Sequence, residues 1–271
     1  MKALIKHNLL VSVMALSGCV TLYGHAQTPL ARAFADMKSS DPAVAQKART
    51  DIINVFDQEL PTIEKDTSTL CNALRDSDSY IRLQSAGILM AIVRAAPEHN
   101  QVVLSCVPEL LVTARDPVDK VRTDSLWALA MNPAGPPPAA HDVFITSLQS
   151  SNYRTQECGA AGLLKERTNQ EANQKLVLQA LDNAPDAKYR LNILYAITGT
   201  RVRSDTLFEG VRKYLLDSDN DVQIEAINAV AATGKDHDTG ASAIQGVVDS
   251  PNATKEQKLR ARMALDTAPP Q

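Results

Sequence analysis

The chain has 271 residues, 44% of them apolar but only 4% aromatic, and its 28 basic and 31 acidic side chains leave a formal net charge of −3. That length and apolar content suffice for a sizeable core, while the shortage of aromatic residues argues against a sheet-rich fold. Without a run of like charge, the sequence does not describe a polybasic binder of nucleic acid or membrane surfaces.

The first 26 residues stand apart. Lys2 and Lys6 precede an apolar stretch, Leu9 to Leu16, that is too short for a permanent membrane span and has the pattern of an export signal. Two processing patterns overlap here. Gly24-His25-Ala26 before Gln27 has the small residues signal peptidase needs, whereas Leu16-Ser17-Gly18-Cys19 resembles the bacterial lipobox, which would put a lipid on Cys19. Cleavage after Ala26 is the preferred expectation, leaving 27–271 as the mature body; a lipobox would end the signal at 18. Loss of Lys2 and Lys6 takes the charge to −3 − 2 = −5. The product is expected to be periplasmic or secreted, or else tethered to the outer membrane through Cys19.

From Gln27 onward a phrase recurs at the length of a helical hairpin. Asp76-Ser77-Asp78-Ser79-Tyr80-Ile81-Arg82 returns as Asp116-Pro117-Val118-Asp119-Lys120-Val121-Arg122. Weaker echoes sit at Thr155-Gln156, Tyr189-Arg190 and Asp217-Ser218-Asp219-Asn220-Asp221-Val222-Gln223. The closing residues 82, 122, 156, 190 and 223 are 40, 34, 34 and 33 apart. That period belongs to stacked helix pairs, none of which can bury its apolar face alone.

Each repeat reads as helix A, a turn and helix B. In chain order the expected pairs are Pro29–Lys38 with Pro42–Gln58, Pro61–Leu74 with Ser79–Arg94, and Gln101–Ala114 with Val118–Ala130. Four more follow: Ala139–Leu148 with Tyr153–Glu166, Gln170–Asp182 with Ala187–Thr198, Ser204–Leu216 with Asp221–Ala232, and Thr239–Val248 with Lys255–Asp266. At Asp41-Pro42 and Asp116-Pro117 an aspartate is placed to cap helix B, with proline at its first position; Asp217-Ser218-Asp219 offers the same oxygens without proline. Gly199 and Gly234 are expected to end helices. Pro133 and Pro136–Pro138 interrupt the array with an extended loop, a proline-reading partner being the alternative.

Three cysteines remain in the body. Cys71 and Cys106 lie 35 residues apart, on equivalent helices of adjacent repeats. They can bond if both face the seam; otherwise they, like Cys158, are small buried hydrophobes.

The Asp-Pro turns, the pairs Ile81-Arg82 and Val121-Arg122, and the small-residue B helices around Ser125–Leu129 and Ala226–Val230 resemble HEAT repeats. The similarity is greatest to the short bacterial type also found in phycobilisome-lyase-like proteins. It implies an all-α fold, a right-handed α-solenoid of about seven stacked antiparallel helix pairs. It also implies that Arg82, Arg122 and Arg190 bond aspartates of neighbouring turns rather than forming an anion-binding row. In the fourth and fifth repeats Gln156 replaces the arginine and Asp-Pro is missing, which puts the ladder in doubt there.

Helical geometry adds a second column. With Val121 at the centre of the buried face, Ser125, Ala128 and Leu129 share it, and Thr123, Trp127 and Ala130 fall opposite, on the inner surface. The equivalents are Leu83, Gly87 and Met90; Glu157, Ala161 and Leu164; Leu191, Tyr195 and Thr198; Ile224, Asn228 and Ala231. This suggests a concave groove for a peptide or partner helix, with Trp127 and Tyr195 as aromatic anchors; tight packing of those rings is the competing reading.

Support for catalysis is thin. Asp236-His237-Asp238 has no second His or Cys at ligand spacing, and no phosphate loop or nucleophile elbow occurs. No cofactor, metal or nucleic acid is expected. The expectation is a non-enzymatic interaction scaffold of the cell envelope. The alternative implied by the lyase-like resemblance is an enzyme or enzyme-maturation factor using Cys158, and a purely structural spacer is a third.

Overall fold

The computed structural model describes residues 27–234 and 237–267, and within them helix follows helix with no strand. The helices are α1 (Pro29–Asp36), α2 (Pro42–Glu59), α3 (Thr67–Ala73), α4 (Ser79–Ala95), α5 (Asn100–Ser105), α6 (Val107–Thr113), α7 (Asp119–Ala130) and α8 (His141–Leu148). They continue with α9 (Tyr153–Lys165), α10 (Gln170–Asp182), α11 (Ala187–Thr200), α12 (Asp205–Arg212), α13 (Asn220–Thr233), α14 (His237–Asp249) and α15 (Lys255–Thr267). Seven antiparallel pairs result among the described residues, with α5 and α6 together serving as one A helix. The chain is an α-solenoid. Residues 1–26, including Cys19, lie outside the described part.

The B helices α4, α7, α9, α11 and α13 pack directly on one another, whereas A helices of neighbouring pairs touch far less. A two-layered array curves with its tighter layer inside, so the B helices form the concave face. The middle B helices are consequently buried on three sides: α7 hides Val121, Ser125, Ala128 and Leu129 as expected, but also Thr123, Asp124, Leu126 and Ala130. At the N-terminal end α2 buries only Ile52 and Phe56 and leaves most of its other side chains open to solvent.

Two expected A helices are broken. Pro61–Leu74 begins as a 3-10 stretch, Leu60–Asp66, in which Thr62 leaves helical geometry before α3 starts. Gln101–Ala114 divides at Cys106, because Pro108 has no N–H to give the carbonyl one turn back and sits in the first turn of a new helix, where none is needed. Across that break Cys106 bonds Cys71, with Cα atoms 5.0 Å apart, so the bonded alternative holds. Gly199 does not end α11. The terminator is Arg201, left-handed at φ 52, while Gly234 does close α13, in an extended conformation.

The recurring aspartates make the joints. Asp76 accepts the N–H of Asp78 at 2.9 Å, and Asp78 caps α4 through the N–H of Tyr80 at 2.8 Å. Asp217 and Asp219 repeat the device before α13. Asp116, expected at the N-cap of α7, sits two residues earlier; the cap is Val118, whose N–H Asp116 holds at 2.9 Å. That displacement points its carboxylate at the preceding repeat. Arg82 donates to it through Nε at 2.7 Å and Nη2 at 3.2 Å, and through Nη1 to the carbonyl of Asp76 at 2.9 Å. Arg190 faces Asp217 in the same way, at 3.0 Å.

The ladder lapses in the middle. Arg122 finds only the hydroxyl of Thr155 across the seam, at 3.1 Å, and Gln156 turns back to the carbonyl of Leu148 at 3.0 Å. Here the chain relies on close approach instead. A Cβ on Gly159 would lie 2.7 Å from the carbonyl oxygen of Phe144, and one on Gly162 would strike the Phe144 ring, so α8 and α9 meet nearly backbone to backbone.

Arg82→Ala leaves Asp116, only 6% exposed, with an uncompensated charge, and should cost about 2–4 kcal/mol in urea unfolding. Gly159→Ala should cost about 1–3 kcal/mol through overpacking. Added salt should shrink the first penalty and leave the second unchanged.

Candidate interaction face

The described residues line three clefts on the concave B-helix face. One, of about 670 Å³, is lined by Met90 and Arg94 of α4, Thr123, Asp124 and Trp127 of α7, and Tyr153, Arg154 and Glu157 of α9, with neighbouring turn residues. A second, about 330 Å³, shares Arg94, Trp127 and Glu157 with it and continues to Met131, Ala196, Gly199 and Thr200. A third, about 390 Å³, lies between Thr198, Arg201, Asn228 and Ala231. Trp127 therefore forms a wall common to the first two. The indole is half-buried against the core and half open to the clefts, so both readings of this residue are partly met.

The other residues of the inner column scatter. Met90 and Asn228 line clefts; Thr123 does too, although it is only 7% exposed. Ala130, Ala161 and Leu164, expected on the inner surface, are buried by the adjacent B helices. Leu83 and Leu191 are half-buried, Tyr195 and Ile224 are exposed at 47% and 45%, and none of these four lines the three clefts. Tyr195 is thus an open surface ring beside the Trp127 clefts rather than a second anchor within them.

The face is electrostatically divided. Burial pushes the Glu157 carboxyl above its usual range, with Arg154 opposing the shift. Burial also raises the Tyr195 phenol, helped by Glu225, Asp221 and Glu157. Tyr153 behaves oppositely. Arg154 and then Lys188 beside its hydroxyl lower its pKa. Lys188 Nζ stands 3.8 Å from the Tyr153 ring centroid, and the ring meets Tyr189 edge-on with centroids 6.5 Å apart. The sequence reading missed this corner, although Tyr153 and Tyr189 recur one repeat apart at the start of successive B helices.

Potential catalytic groups are otherwise engaged. Cys158 is fully buried and its thiol is pushed well above the ordinary range by burial, contrary to what a nucleophile needs. His141 Nδ1 sits 2.7 Å from buried Glu166, which also accepts from Asn173 at 2.9 Å, tying together the ends of α8, α9 and α10. Among the described residues no cluster of His, Cys, Asp or Glu could hold a metal, and no helix is long and apolar enough to cross a membrane. Asp236 and the side chain of His237 fall outside the described part.

No protein-family model matches the chain, and no curated protein matches it by sequence. Similar backbones do occur among solved structures. An archaeal HEAT-like repeats protein from Thermococcus onnurineus NA1 is 14% identical, covering 82% of this chain and 95% of its own, with a TM-score of 0.48. A designed armadillo repeat protein in complex with the peptide (KR)4 is 16% identical over 88% of this chain and 98% of its own, with a TM-score of 0.44. An engineered protein from the Northeast Structural Genomics Consortium is 20% identical over 74% and 95%, with a TM-score of 0.47.

Two outcomes follow from the buried groups. With the disulfide intact, native protein starting at Gln27 should show no thiol towards Ellman's reagent, and Cys158 should react only after denaturation. The Glu157 carboxyl has a raised folded pKa, so its ionisation destabilises the fold above that pKa, and the penalty vanishes below the unfolded value. Glu157→Gln should therefore be the more stable protein at neutral pH. Its advantage should close in urea midpoints measured below the unfolded carboxyl range.

Proposed function

We propose that this protein is an exported interaction scaffold that holds a peptide or helix of a protein partner along its concave B-helix face. The observation that carries the reading is Trp127, a half-buried indole forming the shared wall of two adjoining clefts. An aromatic side chain packed on one flank and open on the other is pre-organised, so a partner gains contact area without the cost of ordering a mobile group. Met90 and Met131 beside it supply adaptable apolar surface.

The signal-like first 26 residues support export, and the disulfide between Cys71 and Cys106 agrees with an oxidising compartment. The lapse of the Asp–Arg ladder also supports the reading. It leaves Tyr153 and Arg154 at the cleft edge, while Asn152 beside them reaches across the seam to Asp119.

The test is affinity capture from envelope extracts with the protein starting at Gln27, in parallel with a Trp127→Leu variant. The variant should keep its helical circular dichroism and lose the partner. An identical set of captured proteins would overturn the groove. Intact mass of the exported protein checks its processing: a start at Gln27 supports soluble export, and a diacylglyceryl-modified Cys19 at the N-terminus would replace it with a lipid anchor.

A further inference from the structure

One edge of the cleft between α4, α7 and α9 carries charges that the fold does not use. Lys188 Nζ lies 3.8 Å from the Tyr153 ring centroid and Arg154 Cζ 5.8 Å from it, so two cations share one aromatic ring. Among the described residues, neither has a carboxylate within ion-pair distance. The acids of the surrounding turns are committed elsewhere. Asp119 pairs with Arg122 and accepts from Asn152, Asp124 pairs with Lys120, and Asp186 caps α11 through the N–H of Tyr189. Glu157, one turn along α9 from Arg154, lies beyond pairing distance and favours the protonated form more than a free carboxyl does.

The corner is also held in place. Tyr189 donates its hydroxyl to the carbonyl of Ser151, and its ring edge supports Tyr153. Asn152 caps α9 through the N–H groups of Arg154 and Thr155 at 3.0 and 3.1 Å, which fixes the turn from which Tyr153 and Arg154 project. Such an arrangement gathers two like charges around one aromatic ring, with no acid paired to either. An anion drawn to this ring is attracted by both the guanidinium and the ammonium, neither of which a neighbouring acid neutralises.

We propose that Tyr153, Arg154 and Lys188 form a carboxylate-binding subsite for the partner segment. This rests on the reading of the concave face as a docking surface. Tyr153 and Arg154 line the same cleft as Met90 and Trp127, and Lys188 reaches the Tyr153 ring from α11 at the edge of that depression. The segment that fits has an apolar side chain against Trp127 and, close by along the peptide, an acidic side chain or a free C-terminal carboxylate. A basic segment is repelled at the same place. Selectivity comes from this local pair of cations, against a net charge of −3 for the chain as a whole.

Trp127 is the only tryptophan of the chain, so its fluorescence reads occupancy directly. Protein starting at Gln27 is titrated with short acetylated Ala/Leu peptides that differ only in carrying Glu, Gln or Lys at the same positions, all amidated. A Gln peptide with a free C-terminus is the fourth probe. The Glu peptide should bind about tenfold more tightly than the amidated Gln peptide, the worth of a charge-assisted contact, and the Lys peptide most weakly. A gain for the free C-terminus over the amide assigns the corner to a chain end rather than to a side chain. The double variant Arg154→Gln/Lys188→Gln should erase the preference for acid while leaving the amidated Gln peptide unchanged. Equal binding of all four peptides, or a preference that survives the double variant, overturns the subsite alone. Silence from every peptide overturns the docking face and the subsite together.

Discussion

The packing of each B helix against the next is the constraint on which the rest of this protein depends. A helix flanked by two others can keep only a narrow strip of side chains outside the core. On α7 that strip comes down to the residues around Trp127, since Thr123, Asp124 and Ala130 are all buried. The same packing draws the B layer tighter than the A layer and so produces the concavity. Curvature and the narrow strip of open side chains on the inner face thus have one cause. Small residues make it possible, and the shortage of aromatics in the composition reflects this requirement.

Two kinds of joint hold neighbouring repeats in register. In the first, an arginine near the start of one B helix reaches the aspartate of the following turn, as Arg82 does with Asp116 and Arg190 with Asp217. Such pairs are directional and specify spacing more than they add net stability, because the charges lose water when they meet. The second kind is close contact at glycine, as Gly159 and Gly162 provide between α8 and α9. The disulfide between Cys71 and Cys106 adds a covalent tie near the N-terminal end, where α2 buries little surface of its own.

The repeat was legible because its punctuation is chemical. Aspartates two residues apart with an arginine a few positions later recur at fixed distance, and a turn that needs those groups leaves the same mark each time. Seven pairs and most helix ends followed from this. The breaks at Thr62 and Cys106 were harder to foresee, since Pro61 and Pro108 are also compatible with a helix start. Asp116 was misplaced by two residues because Asp-Pro fits both a cap and the turn before it. The inner column was only half legible. A single helical wheel locates the face away from the core, but it cannot show how much of that face two neighbouring helices will cover. The cationic corner depends on Lys188 crossing from α11 to a ring on α9, a contact between repeats that no local pattern encodes.

The place where the ladder lapses has a consequence for how the molecule responds to its surroundings. The clefts at Trp127 are built on α4, α7, α9 and α11, and the seam between α7 and α9 has no Asp–Arg pair across it. Ionic strength therefore acts less on the seams either side of α9 than on those between α4 and α7 and between α11 and α13, which Arg82–Asp116 and Arg190–Asp217 close. The centre of the B-helix face thus keeps its contour as salt changes, while the joints that carry the Asp–Arg pairs loosen or tighten around it.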